Sequence, residues 1–236
     1  MVREFELRKE VVLESSLEQV WHAIATAEGN SVWLFPTGDL HPDDPSVTTW
    51  DPPRRLAVRL PAADDGSTQS FEYLIEARDG GTTALRFVHS GILGDDWHDE
   101  YADMTSIGWD MYLHTLSEYF RHFPGRAATF VAAEGPAVSA AEEAWPKMLL
   151  ALGLPGTPEI DEVVRLTPDG LAPIEGVVDY TGPSFLGLRT ADAMYRFHGR
   201  AQLDMPIAVG HHLYGPDVDP DKACAGWQDW LSRVFA

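Results

Sequence analysis

A single cysteine, Cys224, stands among 236 residues, so no internal disulfide can form. No cysteine or histidine accompanies it at metal-ligand spacing, and it reads as a small apolar residue of a helix. Long apolar runs are missing as well. None approaches the ~18 residues of a membrane-spanning helix, and the opening MVREFELRKE is too charged for the apolar segment of a signal peptide. The expectation is a cytoplasmic protein with no membrane insertion. Basic side chains are scarce: 17 Lys and Arg stand against 37 Asp and Glu, a formal net charge of −20. Such a chain repels phosphate backbones and anionic lipid heads, which excludes nucleic acid as a partner. The same charge keeps the protein in solution and is compatible with a protein partner of basic character. There is no phosphate-binding loop, no zinc motif and no nucleophile beside an evident base. No catalytic residue, metal or cofactor is therefore expected.

What is present is a repeat. At 44% hydrophobic and 23% charged residues, the chain has material for one large domain or two smaller ones. An alternating stretch over Phe5, Leu7 and Lys9, continued by Val11 to Leu13, reads as a strand. SSLEQVW follows, in which Ser15 and Glu18 have capping-box spacing and Leu17, Val20, Trp21 and Ile24 form a buried helical stripe. SAAEEAW repeats the pattern with Ser139, Glu142 and Trp145. At the far end of each half, GWDMYL (Gly108 to Leu113) recurs as GWQDWL (Gly226 to Leu231) at nearly the same offset, which points to a duplication. The first of these words lies in a long amphipathic helix, expected from Asp96 to Phe123, with Trp109, Leu113, Leu116 and Phe120 on its apolar face. Asp95, Asp96, Asp99 and Glu100 at its start complement the helix dipole without any ion. Pro146, directly after Trp145, means that the second capped helix either kinks or starts later.

Between the helices of each half lie strands. They are expected at Val47 to Trp50, Leu56 to Leu60, Phe71 to Ala77 and Thr83 to His89, then at Glu162 to Leu166, Ile174 to Tyr180, Phe185 to Arg189, Ala193 to His198 and Pro206 to Leu213. The halves meet near Phe123 to Thr129, giving expected domains of residues 1–125 and 126–236. Four separated words carry a family resemblance: Trp50-Asp-Pro-Pro-Arg-Arg-Leu56, Gly80-Gly-Thr-Thr83, His89-Ser-Gly91 and Gly108-Trp109. With these, residues 5 to 125 resemble the SRPBCC or START-like superfamily, in particular its activators of heat-shock-protein ATPase. The second half resembles the superfamily in element order and in its Gly-Trp helix. The resemblance implies an α+β helix-grip fold, a curved antiparallel sheet around a long C-terminal helix, in two tandem copies. The second copy is expected to be the shorter and more divergent. The two prolines of DPPRR then mark a bend between neighbouring strands, where ladder donors are not needed.

Strand parity sorts the side chains. Leu56, Val58 and Leu60, Phe71, Tyr73 and Ile75, and Leu85, Phe87 and His89 face the long helix, while Arg55, Arg59, Glu72, Glu76 and Arg86 face away. Pattern and resemblance both put a cavity on the first of these faces. The candidate ligand-binding residues there are Tyr73, Phe87, His89 and Trp109, joined by Trp33 and Phe35, which either close the mouth or belong to the core. In the second half Tyr180, Tyr195, Phe197 and His211 are the corresponding candidates. Adjacent His211 and His212 face opposite sides and cannot chelate one metal together. The leading reading is non-catalytic binding of an apolar or aromatic small molecule. One alternative is an enzyme like the polyketide cyclases or aromatases, using His89 or Tyr73 as acid or base. Another is a chaperone-associated interaction module.

Overall fold

The computed structural model describes residues 3–94 and 101–236. The acidic run at 95–100 and the expected helix start at Asp96 lie outside the described residues. The chain divides into two compact units, Met1–Gly125 and Arg126–Ala236, and each builds one antiparallel sheet and one long C-terminal helix.

The first unit runs β1 (Arg3–Leu13), α1 (Leu17–Ala25), α2 (Ala27–Ser31), β2 (Val47–Asp51), β3 (Arg55–Arg59), β4 (Thr68–Ala77), β5 (Thr83–Leu93) and α3 (Tyr101–His122). The sheet order is β1-β5-β4-β3-β2. Strand β5 is the spine, paired along its whole length with β1 on one side and from Thr83 to Ile92 with β4 on the other. The words of the sequence now have physical explanations. Asp51 faces Arg55 across the β2–β3 hairpin, and Pro52 and Pro53 fill its turn, where the Arg54 N–H donates to the Asp51 carbonyl at 2.7 Å. Gly80 and Gly81 take positive φ values of 76° and 79° at the β4–β5 turn, a region other residues enter only with strain. Gly91 sits against β4 so closely that a Cβ there would run into the Thr68 carbonyl oxygen and the Phe5 ring.

The first helix is capped one residue later than the sequence suggested. Ser16, not Ser15, accepts the Gln19 N–H at 3.3 Å, and Gln19 returns the bond to the Ser16 N–H at 3.1 Å. Ser15 is instead buried and donates to Gln19 Oε1 at 2.9 Å. Either arrangement satisfies two orphan N–H groups, and the pair of adjacent serines hid which one is used.

The second unit runs β6 (Thr129–Glu134), α4 (Ala144–Ala151), β7 (Val163–Leu166), β8 (Ile174–Gly182), β9 (Phe185–Arg189), β10 (Ala193–His198), β11 (Ala208–Leu213) and α5 (Pro220–Val234). Its order, β6-β11-β10-β9-β8-β7, again pairs the first strand with the last. Ser139 caps no helix. It sits in a 3₁₀ turn, Ala137–Ala140, where its hydroxyl donates to the Pro136 carbonyl and accepts the Ile207 N–H. Helix α4 begins only at Ala144, so Pro146 falls in its first turn, where a missing N–H breaks no helical bond. Asp219 caps α5 by accepting the Lys222 N–H at 3.1 Å, with Pro220 in the first turn. Trp227, Trp230 and Leu231 of α5 pack on Val178, Leu186, Leu188 and Phe197 to form the core. Cys224 is half-buried against that core. Among the described residues no helix is long and apolar enough to cross a membrane.

Candidate functional site

In the first unit the inner face of the sheet does not close fully on α3. Val58 of β3 and Leu60 just beyond it, Phe71 and Tyr73 of β4, and Trp109 of α3 form the walls of a cavity of ≈ 380 Å³. Its fourth side is Ile24 and Asn30 of α1 and α2 with the segment that follows, from Leu34 to Asp44. Helix α3 supplies Trp109 because its apolar stripe faces the sheet. The chain after α2 has no regular structure of its own and folds across the opening. The volume is at the low end of small-molecule sites, about 300–1,000 Å³.

The candidate residues divide into three groups. Phe35, Tyr73 and Trp109 line the cavity, with Phe35 at its mouth, 47% exposed and edge-on to Tyr112 at 6.0 Å. Phe87 and His89 lie in a second layer. Phe87 is fully buried against Trp109, with ring centroids 4.2 Å apart, and His89 stacks on Phe71 at 4.4 Å. Trp33 belongs to the core, its indole N–H donating to the Ala23 carbonyl at 2.9 Å.

His89 is held in one state. Trp109 Nε1–H donates to His89 Nδ1 at 3.0 Å, so the ring proton must sit on Nε2, which donates to Gln69 Oε1 at 3.2 Å. Burial pushes the imidazole pKa down to about 4, and burial raises the Tyr73 phenol well above its ordinary value. Both nitrogens of His89 are engaged, and neither group is poised to move a proton near neutrality.

The second unit offers a more open cleft of ≈ 370 Å³ between α5 and its sheet, lined by Leu171, Ile174, Tyr195, Leu213, Ala223 and Trp227. Of the candidates only Tyr195 is on this lining. Phe197 and His211 are buried beneath it, with the His211 ring 4.6 Å from Trp227 and 4.9 Å from Tyr195. His211 thus repeats the position of His89 under a tryptophan of the C-terminal helix, with different bonding. Its Nδ1 accepts the Arg196 backbone N–H at 3.1 Å, and its Nε2 has no hydrogen-bond partner among the described residues. Burial first, then His198, His212 and Arg196, holds it well below the usual histidine range.

Tyr180 is a correction. The alternation that placed it inward with Val178 is broken by a register shift between the two. Val178 pairs with Leu188 on the core side, whereas Tyr180 pairs with Gly187. A Cβ on Gly187 would stand 2.8 Å from Tyr180 Cβ and from Arg196 Nη1. Tyr180 therefore lies on the outer face with the buried Arg196–Asp179 ion pair, whose shorter contact is 2.8 Å. One extra residue in a strand reverses every side chain beyond it.

The sequence reading missed Leu34, Asp39, Leu40 and Asp44 entirely, because that segment has no period to read. It placed Val58, Leu60 and Phe71 on the right face without nominating them as contacts.

Two antiparallel sheets, each gripping its own C-terminal helix, define the chain as a tandem α+β helix-grip protein. Residues 16–121 match the family described as Activator of Hsp90 ATPase homolog 1-like protein. Over those residues the first unit is similar to that family. No curated protein matches the chain. Among solved structures it is similar to CalU16 from Micromonospora echinospora, with 16% identity and a TM-score of 0.39 over 51% of this chain and 86% of that one. It is also similar to the Aha1 dimer from Colwellia psychrerythraea, with 15% identity and a TM-score of 0.39 over 51% and 99%. The di-domain ARO/CYC BexL from the BE-7585A biosynthetic pathway aligns over 99% of this chain and 98% of its own, with 13% identity and a TM-score of 0.42.

Proposed function

We propose that the first unit binds an apolar or aromatic small molecule in the cavity between β3, β4 and α3, and performs no chemistry on it. The observation that carries this reading is the wall itself: Val58, Leu60, Phe71, Tyr73 and Trp109 converge on a space of ≈ 380 Å³, and His89, in the layer behind that wall, has both nitrogens engaged. The units at 1–125 and 126–236 act as two domains in this reading, the first bearing the ligand.

The test is a titration with the neutral dye N-phenylnaphthylamine, whose emission rises on leaving water. Phe71→Asp places a charge in the wall, which must be desolvated or must flood the cavity; at least tenfold weaker binding is expected. Leu60→Asp, at the rim and 43% exposed, makes the same point with less risk to folding. Arg86→Ala, on the outer face, leaves binding unchanged. Wild-type affinity in both Asp variants would overturn the proposal.

A second reading follows from the family match alone. The family's name refers to activation of the Hsp90 ATPase, so the first unit would act on a chaperone. Stimulation of an Hsp90 ATPase rate by this chain, unaffected by Phe71→Asp, would favour it over the binding role.

A further inference from the structure

The polar groups at the mouth of the first-unit cavity narrow the class of ligand. Resting on the binding role proposed above, we infer that the ligand is a flat aromatic molecule bearing a positively charged nitrogen, its rings against Phe71, Tyr73 and Trp109 and its nitrogen beside Asp39 and Asp44.

Three polar side chains of the lining present acceptors. Asp39 Oδ1 accepts the Ala27 N–H at 2.8 Å, and Asp44 Oδ1 accepts the Ser46 N–H and hydroxyl at 2.8 and 2.7 Å. Each carboxylate is thus fixed through one oxygen, and its Oδ2 has no hydrogen bond among the described residues. The bonds from Ser46 also keep the Asp44 carboxyl below its ordinary pKa, hence ionised. Asn30, also in the lining, commits its amide N–H groups to the Ile24 and Thr26 carbonyls at 3.3 and 3.0 Å, and its carbonyl oxygen accepts no hydrogen bond among the described residues. No lysine, arginine or histidine among the described residues contributes to the lining.

A fatty acid or an aromatic carboxylate would bring a like charge to two carboxylates that have only His41, a weak influence on Asp44, beside them. A neutral aromatic would fill the space and leave the carboxylate oxygens to water. A cation answers both carboxylates, and the aromatic walls favour it further, because the face of an aromatic ring attracts positive charge. The net charge of −20 adds long-range attraction of the same sign, which the test must separate from the local effect.

The experiment uses one ring system in three charge states, naphthylmethylamine, naphthylmethanol and naphthoate, each displacing N-phenylnaphthylamine from the full chain. The amine is expected to bind about fivefold more tightly than the alcohol, the size of one exposed ion pair, and naphthoate most weakly. Asp39→Asn with Asp44→Asn keeps the acceptors that hold the loop and should bring the amine to the level of the alcohol, leaving the alcohol unchanged. Asp79→Asn, an equal kind of charge change on the β4–β5 turn, leaves the preference intact. Raising ionic strength from about 0.01 to about 1 M shrinks the screening length from about 30 to about 3 Å and should erode the preference. Equal binding of amine and alcohol, or a preference that survives the double Asn variant, overturns the inference while the cavity stands as a binding site. Failure of all three compounds to displace a bound dye overturns the inference, whereas failure of the dye itself to bind the full chain would overturn the binding role.

Discussion

The indole N–H of Trp109 donates to Nδ1 of His89 at 3.0 Å, tying the long helix to strand β5 through a neutral imidazole. Burial disfavours the charged imidazolium, and a proton on Nδ1 would also confront the indole N–H, so the native state resists protonation where the unfolded chain does not. The folded pKa of about 4 lies below the ordinary 6.5. The stability this confers is therefore complete above about pH 6.5 and is lost as pH falls from there towards about 4, a contribution of at most about 3 kcal/mol. In the folded protein the His89 ring signals in an NMR titration should stay flat from about pH 8 to about pH 5. A midpoint near 6.5 would contradict the bond. His89→Gln keeps an acceptor for the indole and should flatten the acid side of the stability profile, whereas His89→Leu strands the N–H and should destabilise by about 1–3 kcal/mol.

Two glycines of the family words should respond in opposite directions. Gly91→Ala drives a methyl into the Thr68 carbonyl and the Phe5 ring and is expected to cost about 1–3 kcal/mol. Gly108 lies within α3 with nothing within 4 Å of a Cβ, so Gly108→Ala should stabilise by up to about 1 kcal/mol through helix propensity. Urea unfolding of both variants checks the pair, and a stabilised Gly91→Ala would show that β4 and β5 are farther apart than described.

Pro146 occupies the exposed first turn of α4. Its replacement by alanine should change stability by no more than about 0.5 kcal/mol in the same measurement. A gain of several times that would place the proline inside a longer helix.

On the outer face of the second sheet, Arg196 holds Asp179 through two bonds, 3.0 and 2.8 Å, with side chains only 1% and 3% exposed. Asp179→Ala removes the carboxylate that a buried cation grips through two bonds and should cost about 3–5 kcal/mol. Replacing both residues with apolar ones of similar volume should cost much less, and equal losses would show that the pair is not coupled.

Where the sequence had a period, the architecture could be read from it. Phe71, Tyr73 and Ile75 alternate with Glu72 and Glu76, and the cavity face follows from that alternation. Apart from Phe35, the opposite wall was illegible because Leu34 to Asp44, with Pro36, Gly38 and Pro42, repeats nothing, and which of its side chains turn inward depends on packing alone. Tyr180 shows the complementary failure: the alternation was real, but an extra residue at the Val178–Tyr180 shift reversed it, and no residue type there announces a bulge. β6 escaped for want of contrast, since only Val131 and Ala133 mark its inner face. The Ser-x-x-Glu-x-x-Trp repeat misled in a different way, because the same letters cap a helix near Ser16 and form a 3₁₀ turn at Ser139.

The two histidines under the helix tryptophans place unequal demands on future substitutions. His89 takes its hydrogen bond from a side chain, so position 109 must keep an indole, and phenylalanine or leucine there would leave a nitrogen stranded. His211 takes its bond from the Arg196 main chain, a donor that every residue except proline can supply. The first unit is therefore bound to particular letters where the second is bound only to a shape. A duplicated domain released in this way can drift until its fold persists and its words do not.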